Sequence, residues 1–159
     1  MKILKVIAIL AISMLALGSA SSYAGEHKVV IQVSSGDAKT QALALNNAAN
    51  VLKAFGPGNV VVEVVAYGPG LSLMTAKKAT ETKDKKVAAM QKAAMAQAGR
   101  VKNLAMNPDI TFSACGNTMK KIEKKTGHKP ALVAGVTVVP GGLVRIMELQ
   151  EKGYSYIRP

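Results

Sequence analysis

Cys115 is the only cysteine in a chain of 159 residues. It stands where a short apolar segment, Ile110 to Ala114, gives way to Gly116-Asn117-Thr118, which is suited to open a helix. A thiol reacts as its thiolate. The unpaired N–H groups of a helix N-terminus and nearby cations, here Lys120 and Lys121, raise the thiolate fraction. Lowering a thiol from about 8.5 to about 6.5 takes its thiolate share at neutral pH from a few per cent to roughly three quarters. The same residues also fit a small buried thiol that completes a strand end, and the sequence leaves both readings open. A single cysteine excludes an internal disulfide, a CxxC redox pair and a cysteine-based zinc site.

The other residue types capable of chemistry are less well placed. His27 lies near the start of the first predicted strand and His128 in a basic turn. His128 can approach Cys115 across the intervening helix, or simply face water as a turn residue. Met90 and Met95 are five apart and do not share a helix face, which argues against a methionine copper site. Ser35-Gly36-Asp37, in Ser34 to Thr40, joins a strand to a helix as a phosphate loop does. It lacks the Gly-Lys-Ser/Thr ending, so only anion binding at a helix start remains. Asn46 and Asn50 share a helix face, suited to water or to a subunit contact. No metal and no organic cofactor is called for by these patterns.

The first residues set the expected compartment. Lys2 and Lys5, the apolar run Val6 to Gly18 and the small-x-small Ser22-Tyr23-Ala24 read as a signal peptide cleaved after Ala24. This predicts a periplasmic domain over residues 25–159, with no integral membrane segment after cleavage. Without residues 1–24 the chain holds 19 basic and 9 acidic residues. From Lys77 to Lys102 there are 8 basic and 2 acidic residues, and from Asn117 to Lys129 there are 5 and 1. The whole excess therefore brackets Cys115, which points to an anionic ligand, an acidic partner or a membrane surface, or to two solvated helix faces. Three arginines, and lysines without interleaved aromatics, argue against nucleic acid.

The elements that must position these residues follow from periodicity. Lys28 to Ser34 and Val60 to Ala66 read as buried parallel strands, and Ile110 to Ala114, Val136 to Val139 and Tyr154 to Arg158 as three more. Asp37 caps a helix carrying Ala42, Leu45, Ala49 and Leu52 on one face. A long helix spans Leu73 to Met106, with Val87, Met90, Ala94, Ala98, Val101 and Leu104 on one face and weak points at Thr80 to Asp84 and Gly99. Thr118 to Lys125 and Leu143 to Lys152 complete the helices, with Pro140 near the first turn of the last. Alternating strands and helices predict an α/β fold, an open, mostly parallel five-stranded sheet covered on both faces. Its functional crevice lies beyond the carboxyl ends of the strands. Ser35, Gly36, Asp37, Tyr67, Gly68, Pro140, Gly141 and Cys115 fall at those ends, with Cys115 on the crevice rim.

With these residues in place, the chain resembles the DsrE/DsrF-like family of small α/β proteins linked to sulfur oxidation and sulfur relay. The resemblance rests on Ala114-Cys115-Gly116-Asn117-Thr118-Met119, Val65-Ala66-Tyr67-Gly68-Pro69-Gly70 and Val139-Pro140-Gly141-Gly142. The helix with Leu45-Asn46-Asn47-Ala48-Ala49-Asn50 and the closing Gly153-Tyr154-Ser155-Tyr156-Ile157-Arg158-Pro159 add to it. It implies a Rossmann-like three-layer sandwich, trimers or hexamers, and a single persulfide-bearing cysteine, to which Cys115 corresponds. The lysine-rich helix is longer than is usual in that family.

Two functions follow as expectations. In one, an exported sulfur carrier or sulfurtransferase loads sulfur on Cys115. The amides of Gly116, Asn117 and Thr118 steady the thiolate, and Lys120 and Lys121 draw in anionic sulfur species or an acidic relay protein. In the other, a non-catalytic oligomeric module docks an acidic partner or anionic ligand on its basic surface. Small-ligand or nucleotide binding at the strand ends is a third, resting on fold analogy alone.

Overall fold

The computed structural model describes residues 27–76 and 83–159. The expected signal peptide lies outside the described residues, as do residues 77–82, which include most of the weak point anticipated at Thr80 to Asp84. The elements run β1 (His27–Val33), α1 (Ala38–Phe55), β2 (Val60–Ala66), a 3-10 helix (Gly68–Met74), α2 (Lys85–Leu104) and β3 (Ile110–Cys115). They continue with α3 (Gly116–Thr126), β4 (Val136–Val139), α4 (Gly142–Glu151) and β5 (Ser155–Ile157). All pairings are parallel, in the order β4-β3-β2-β1-β5.

That order fixes the layers. From β1 to β4 each crossover steps in one direction along the sheet, so connections of one hand put α1, α2 and α3 on one face; the return from β4 to β5 puts α4 on the other. The cores agree. The larger holds Ile31, Val62, Val64 and Phe112 with Leu45 of α1, Val101 of α2 and Met119 of α3. The smaller holds Val30 and Val65 with Ile146 and Leu149 of α4. Both faces carry helices, as anticipated, but the second carries only the ten-residue α4. Leu143, Val144 and Met147 of α4 and Tyr156 of β5 are exposed there.

Local chemistry accounts for the differences from the sequence reading. The Asp37 side chain accepts from the Thr40 N–H at 2.8 Å and caps α1 as foreseen. The buried stripe of α1 is Gln41, Ala44, Leu45 and Ala48, so it is rotated from the expected one. Gln41 is tolerated inside because its amide donates to Ser35 O and Ser72 Oγ.

The helix predicted from Leu73 does not start there. Leu71, Leu73 and Met74 are buried within the 3-10 helix, and Thr75 bridges Leu132. The α-helix begins after Asp84, whose carboxylate accepts from the Lys86 and Val87 N–H groups. Of its expected apolar face only Val101 is buried, while Val87 and Met90 are exposed. Asn46 accepts from Arg100 at 2.7 Å, so it faces α2 of its own chain. At the last helix, Pro140 precedes the cap residue Gly141 and lies outside α4.

Candidate functional site

Connections leave β1, β2 and β3 toward one face and β4 toward the other, so the chain diverges between the carboxyl ends of β3 and β4. In open α/β sheets such a switch point is where a crevice forms. Cys115 is the last residue of β3 and the N-cap of α3, and it pairs in register with Val139, the last residue of β4. Gly141 caps α4 on the opposite side of the sheet. The first turns of two helices are thereby aimed at one sulfur.

The balance of forces on that sulfur is explicit. Burial pushes the Cys115 thiol up. The Thr118 hydroxyl and the backbone N–H groups of Gly142, Thr118 and Asn117 act against it, and the net effect leaves the thiol below its ordinary value. Thr118 Oγ1 accepts the Gly68 N–H at 2.9 Å, which leaves its own proton for the sulfur. Asn117 N–H also donates to Pro140 O at 3.2 Å, fastening the start of α3 to the loop after β4. A Cβ on Gly116 would lie 3.1 Å from Val139 O, so the small residue keeps that junction close.

The thiol does not sit on an open rim. Cys115 is 5% exposed, covered from the α4 side, where an ideal Cβ on Gly142 would be 2.9 Å from Tyr67 Cβ and 3.2 Å from Cys115 Cβ. Beside it lies a cavity of about 280 Å³ bordered by Asn117, Val139, Pro140, Gly141, Val144, Arg145 and Glu148.

The structure thus gathers Cys115, Gly116, Asn117, Thr118, Tyr67, Gly68, Pro140 and Gly141 around one point. Ser35, Gly36 and Asp37 stay at the end of β1. There Ser35 Oγ accepts from Asp37 N–H, and Gly36 packs near Pro69, where a Cβ would lie 3.4 Å from Pro69 Cβ. Lys120 is exposed and borders neither cavity, while Lys121 lines a larger cleft on the α3 side. His128 Nδ1 is 2.9 Å from Thr126 O, and the groups that shift the thiol do not include it. His27 stacks on Phe55 at 3.8 Å.

Sequence reasoning missed a buried ionic cluster on the same sheet face. Glu63, in the middle of β2 and 4% exposed, accepts from Ser113 Oγ at 2.6 Å and from Arg145 Nε and Nη2, both at 2.7 Å. This bidentate fork also drives the Arg145 guanidinium further from deprotonation. Arg145 is one turn after Gly142, so the cluster pins the start of α4 to the sheet. The signal was Glu63 itself, a charge inside a valine-rich strand, which must be paired if buried. Among the described residues no group of three or more His, Cys, Asp or Glu could hold a metal ion. No described helix is long and apolar enough to cross a membrane.

Known proteins share this fold. The model of the DsrE/DsrF-like family matches residues 27–159. The solved structure of MTH1491, a protein of unknown function from Methanobacterium thermoautotrophicum, is 26% identical with a TM-score of 0.61. That match covers 84% of this chain and 99% of the other. The ychN protein of E. coli is 13% identical with a TM-score of 0.51 over 84% and 99% of the two chains, a likeness of fold alone. No curated protein matches the sequence.

Proposed function

Since the chain belongs to the DsrE/DsrF-like family, associated with sulfur relay, we propose that it is a sulfur carrier in which Cys115 holds sulfane sulfur as a persulfide. The observation that carries this reading is the convergence of the α3 and α4 N-termini on Cys115, which lowers the thiol despite its burial. The Cys115 thiolate attacks the outer sulfur of a donor persulfide, R–S–SH. The new S–S bond forms as the donor S–S bond breaks, R–S⁻ departs with that bond's electron pair, and Cys115–S–SH results with no net oxidation. The same positive helix ends also favour negative charge on the outer sulfur of the persulfide. The donor is expected to approach through the cavity bordered by Asn117 and Gly141, residues adjoining those that hold the thiol, although Cys115 itself does not line it.

The protein acts in the periplasm after removal of residues 1–24, and its lysines draw in anionic sulfur species or an acidic relay partner. It forms a homo-oligomer, trimer or hexamer. The thinly covered second face of the sheet, with Leu143, Val144 and Met147 exposed, supports assembly.

The test is the pH dependence of Cys115 alkylation in the folded protein, with mass spectrometry after incubation with a persulfide donor. An alkylation midpoint below about 8.5 and an added mass of about 32 Da that is lost in Cys115→Ser are expected. Full loading of the serine variant would sink the assignment. The 5% exposure of Cys115 favours a second reading, a non-catalytic module that binds anionic or acidic partners. A thiol that resists both alkylation and loading would establish it.

A further inference from the structure

The largest cavity among those described is not at the sulfur. It is a cleft of about 870 Å³ between the 3-10 helix and α3, within the size range of small-molecule sites. One wall is a stripe of α3, Thr118, Lys121, Ile122 and Lys125, at spacings of three and four residues. From Thr118 to Lys125 this stripe is about 10 Å long. The apolar floor is offered by Pro69, Ile122, Pro130 and Ala131, while Leu71, though it borders the cleft, is fully buried. Lys129 joins Lys121 and Lys125 in lining the cleft, and among the described residues no acidic side chain lines it. All three lysines are exposed, and among the described residues none of them makes an ion pair.

The walls are preformed. Ala76 N–H donates to Ala131 O and Val133 N–H to Met74 O, both at 2.9 Å, on either side of the Thr75–Leu132 bridge. The turn after α3 is fixed by Gly127 in the left-handed region (φ 78°) and by Thr126 Oγ1, which donates within it. An apolar floor beside a two-turn stripe of α3 and under three ammonium groups is complementary to one kind of ligand. Lysine stems lie along apolar surface while their heads stay at the rim.

We propose that this cleft binds an amphiphilic organic anion, with its apolar body on Ile122, Pro69 and Pro130 and its anionic group held by Lys121, Lys125 and Lys129. A bare inorganic anion leaves the floor hydrated, and an uncharged amphiphile leaves the lysines unused. The cleft shares Thr118 and Gly68 with the surroundings of Cys115 but does not use the thiol, so its failure leaves the sulfur-carrier reading untouched, and Cys115→Ser binds as the wild type does.

The probe is anilinonaphthalene sulfonate, titrated by fluorescence into the purified protein. The paired variants are Lys121→Gln with Lys125→Gln, and Lys120→Gln with Lys124→Gln. The second pair removes the same charge from the same helix outside the cleft. Saturable binding with one site per chain is expected, weakened about tenfold in the cleft pair and less than twofold in the control pair, a difference of about 1 kcal/mol or more. Equal weakening in the two pairs would overturn the proposal. So would the absence of saturable binding, equal affinity for uncharged N-phenylnaphthylamine, or displacement by sulfate as effective as by a long-chain alkyl sulfonate.

Discussion

Gly142, the first residue of α4, sends its N–H to the sulfur of Cys115, the last residue of β3, and a side chain between them has no room. A Cβ there would meet Tyr67 Cβ at 2.9 Å, inside the closest approach real atoms make. Gly142→Ala therefore has two expected effects. Overpacking costs about 1–3 kcal/mol in urea unfolding. The displaced N–H also raises the pH midpoint of Cys115 alkylation. A variant as stable as the wild type with an unchanged midpoint would show that α4 does not act on the thiol.

Thr118 carries a different part of the load. Its hydroxyl accepts from Gly68 at 2.9 Å and donates to the sulfur, so one group ties the β2 loop to the start of α3. Thr118→Val keeps the volume but leaves the Gly68 N–H without its acceptor, a loss of about 1–3 kcal/mol. It also moves the alkylation midpoint up. Thr118→Ser restores both readouts, because only the hydroxyl is at issue; failure of serine to restore them would trace the effect to packing of the methyl group.

The position of Cys115 at a strand end was legible because it depends on local signals: an apolar run, then Gly116-Asn117-Thr118. Sheet order and the meeting of β3 with β4 were not, since pairing is decided by contacts far apart in sequence. Whether the thiol is buried stayed open for the same reason, because Tyr67 and Gly142 reach it from other elements. The false start of the long helix at Leu73 has a local cause. Leu71, Leu73 and Met74 look helical in pattern, but Gly70 can only sit where it does, since a Cβ would be 2.1 Å from Val33 O. That close approach favours a tight 3-10 turn packed on β1 over a continuous α-helix. Lys121 and Lys125 were visible as charge, but the apolar surface beside them was not, because Pro69 comes from the segment after β2 and Pro130 and Ala131 from the loop after α3.

The Glu63–Arg145 pair predicts a non-additive result. Both carboxylate oxygens of Glu63 are engaged by the Arg145 fork, and Ser113 adds a third donor. Glu63→Ala removes the bidentate partner of the guanidinium, which keeps only its longer contact to Glu148 at 3.5 Å, and leaves Ser113 without its acceptor. It is expected to cost roughly 3 kcal/mol, at the low end for a buried pair because Arg145 remains partly exposed. Glu63→Leu combined with Arg145→Leu removes both charges and is expected to cost less than Glu63→Ala alone. Additive losses in urea unfolding would mean that the two residues are not coupled.

The thiol also predicts how stability varies with pH. Cys115 is held below its unfolded value of about 8.5, so between the folded and unfolded values the unfolded chain binds more protons. The contribution of the thiolate is therefore complete above about pH 8.5 and is lost as pH falls through the folded value. Asp37 has the same sign, through its hydrogen bonds from Thr40, but acts in a separate acidic window below about pH 4. Urea unfolding of the wild type and of Cys115→Ala across neutral and mildly alkaline pH separates the two, since Asp37 is common to both proteins. The stability difference in favour of the wild type is expected to grow with pH through this window and level off above about 8.5. A difference that stays flat or shrinks would mean that the two helix N-termini fail to hold the thiolate, and the proposed persulfide chemistry would lose its electrostatic basis.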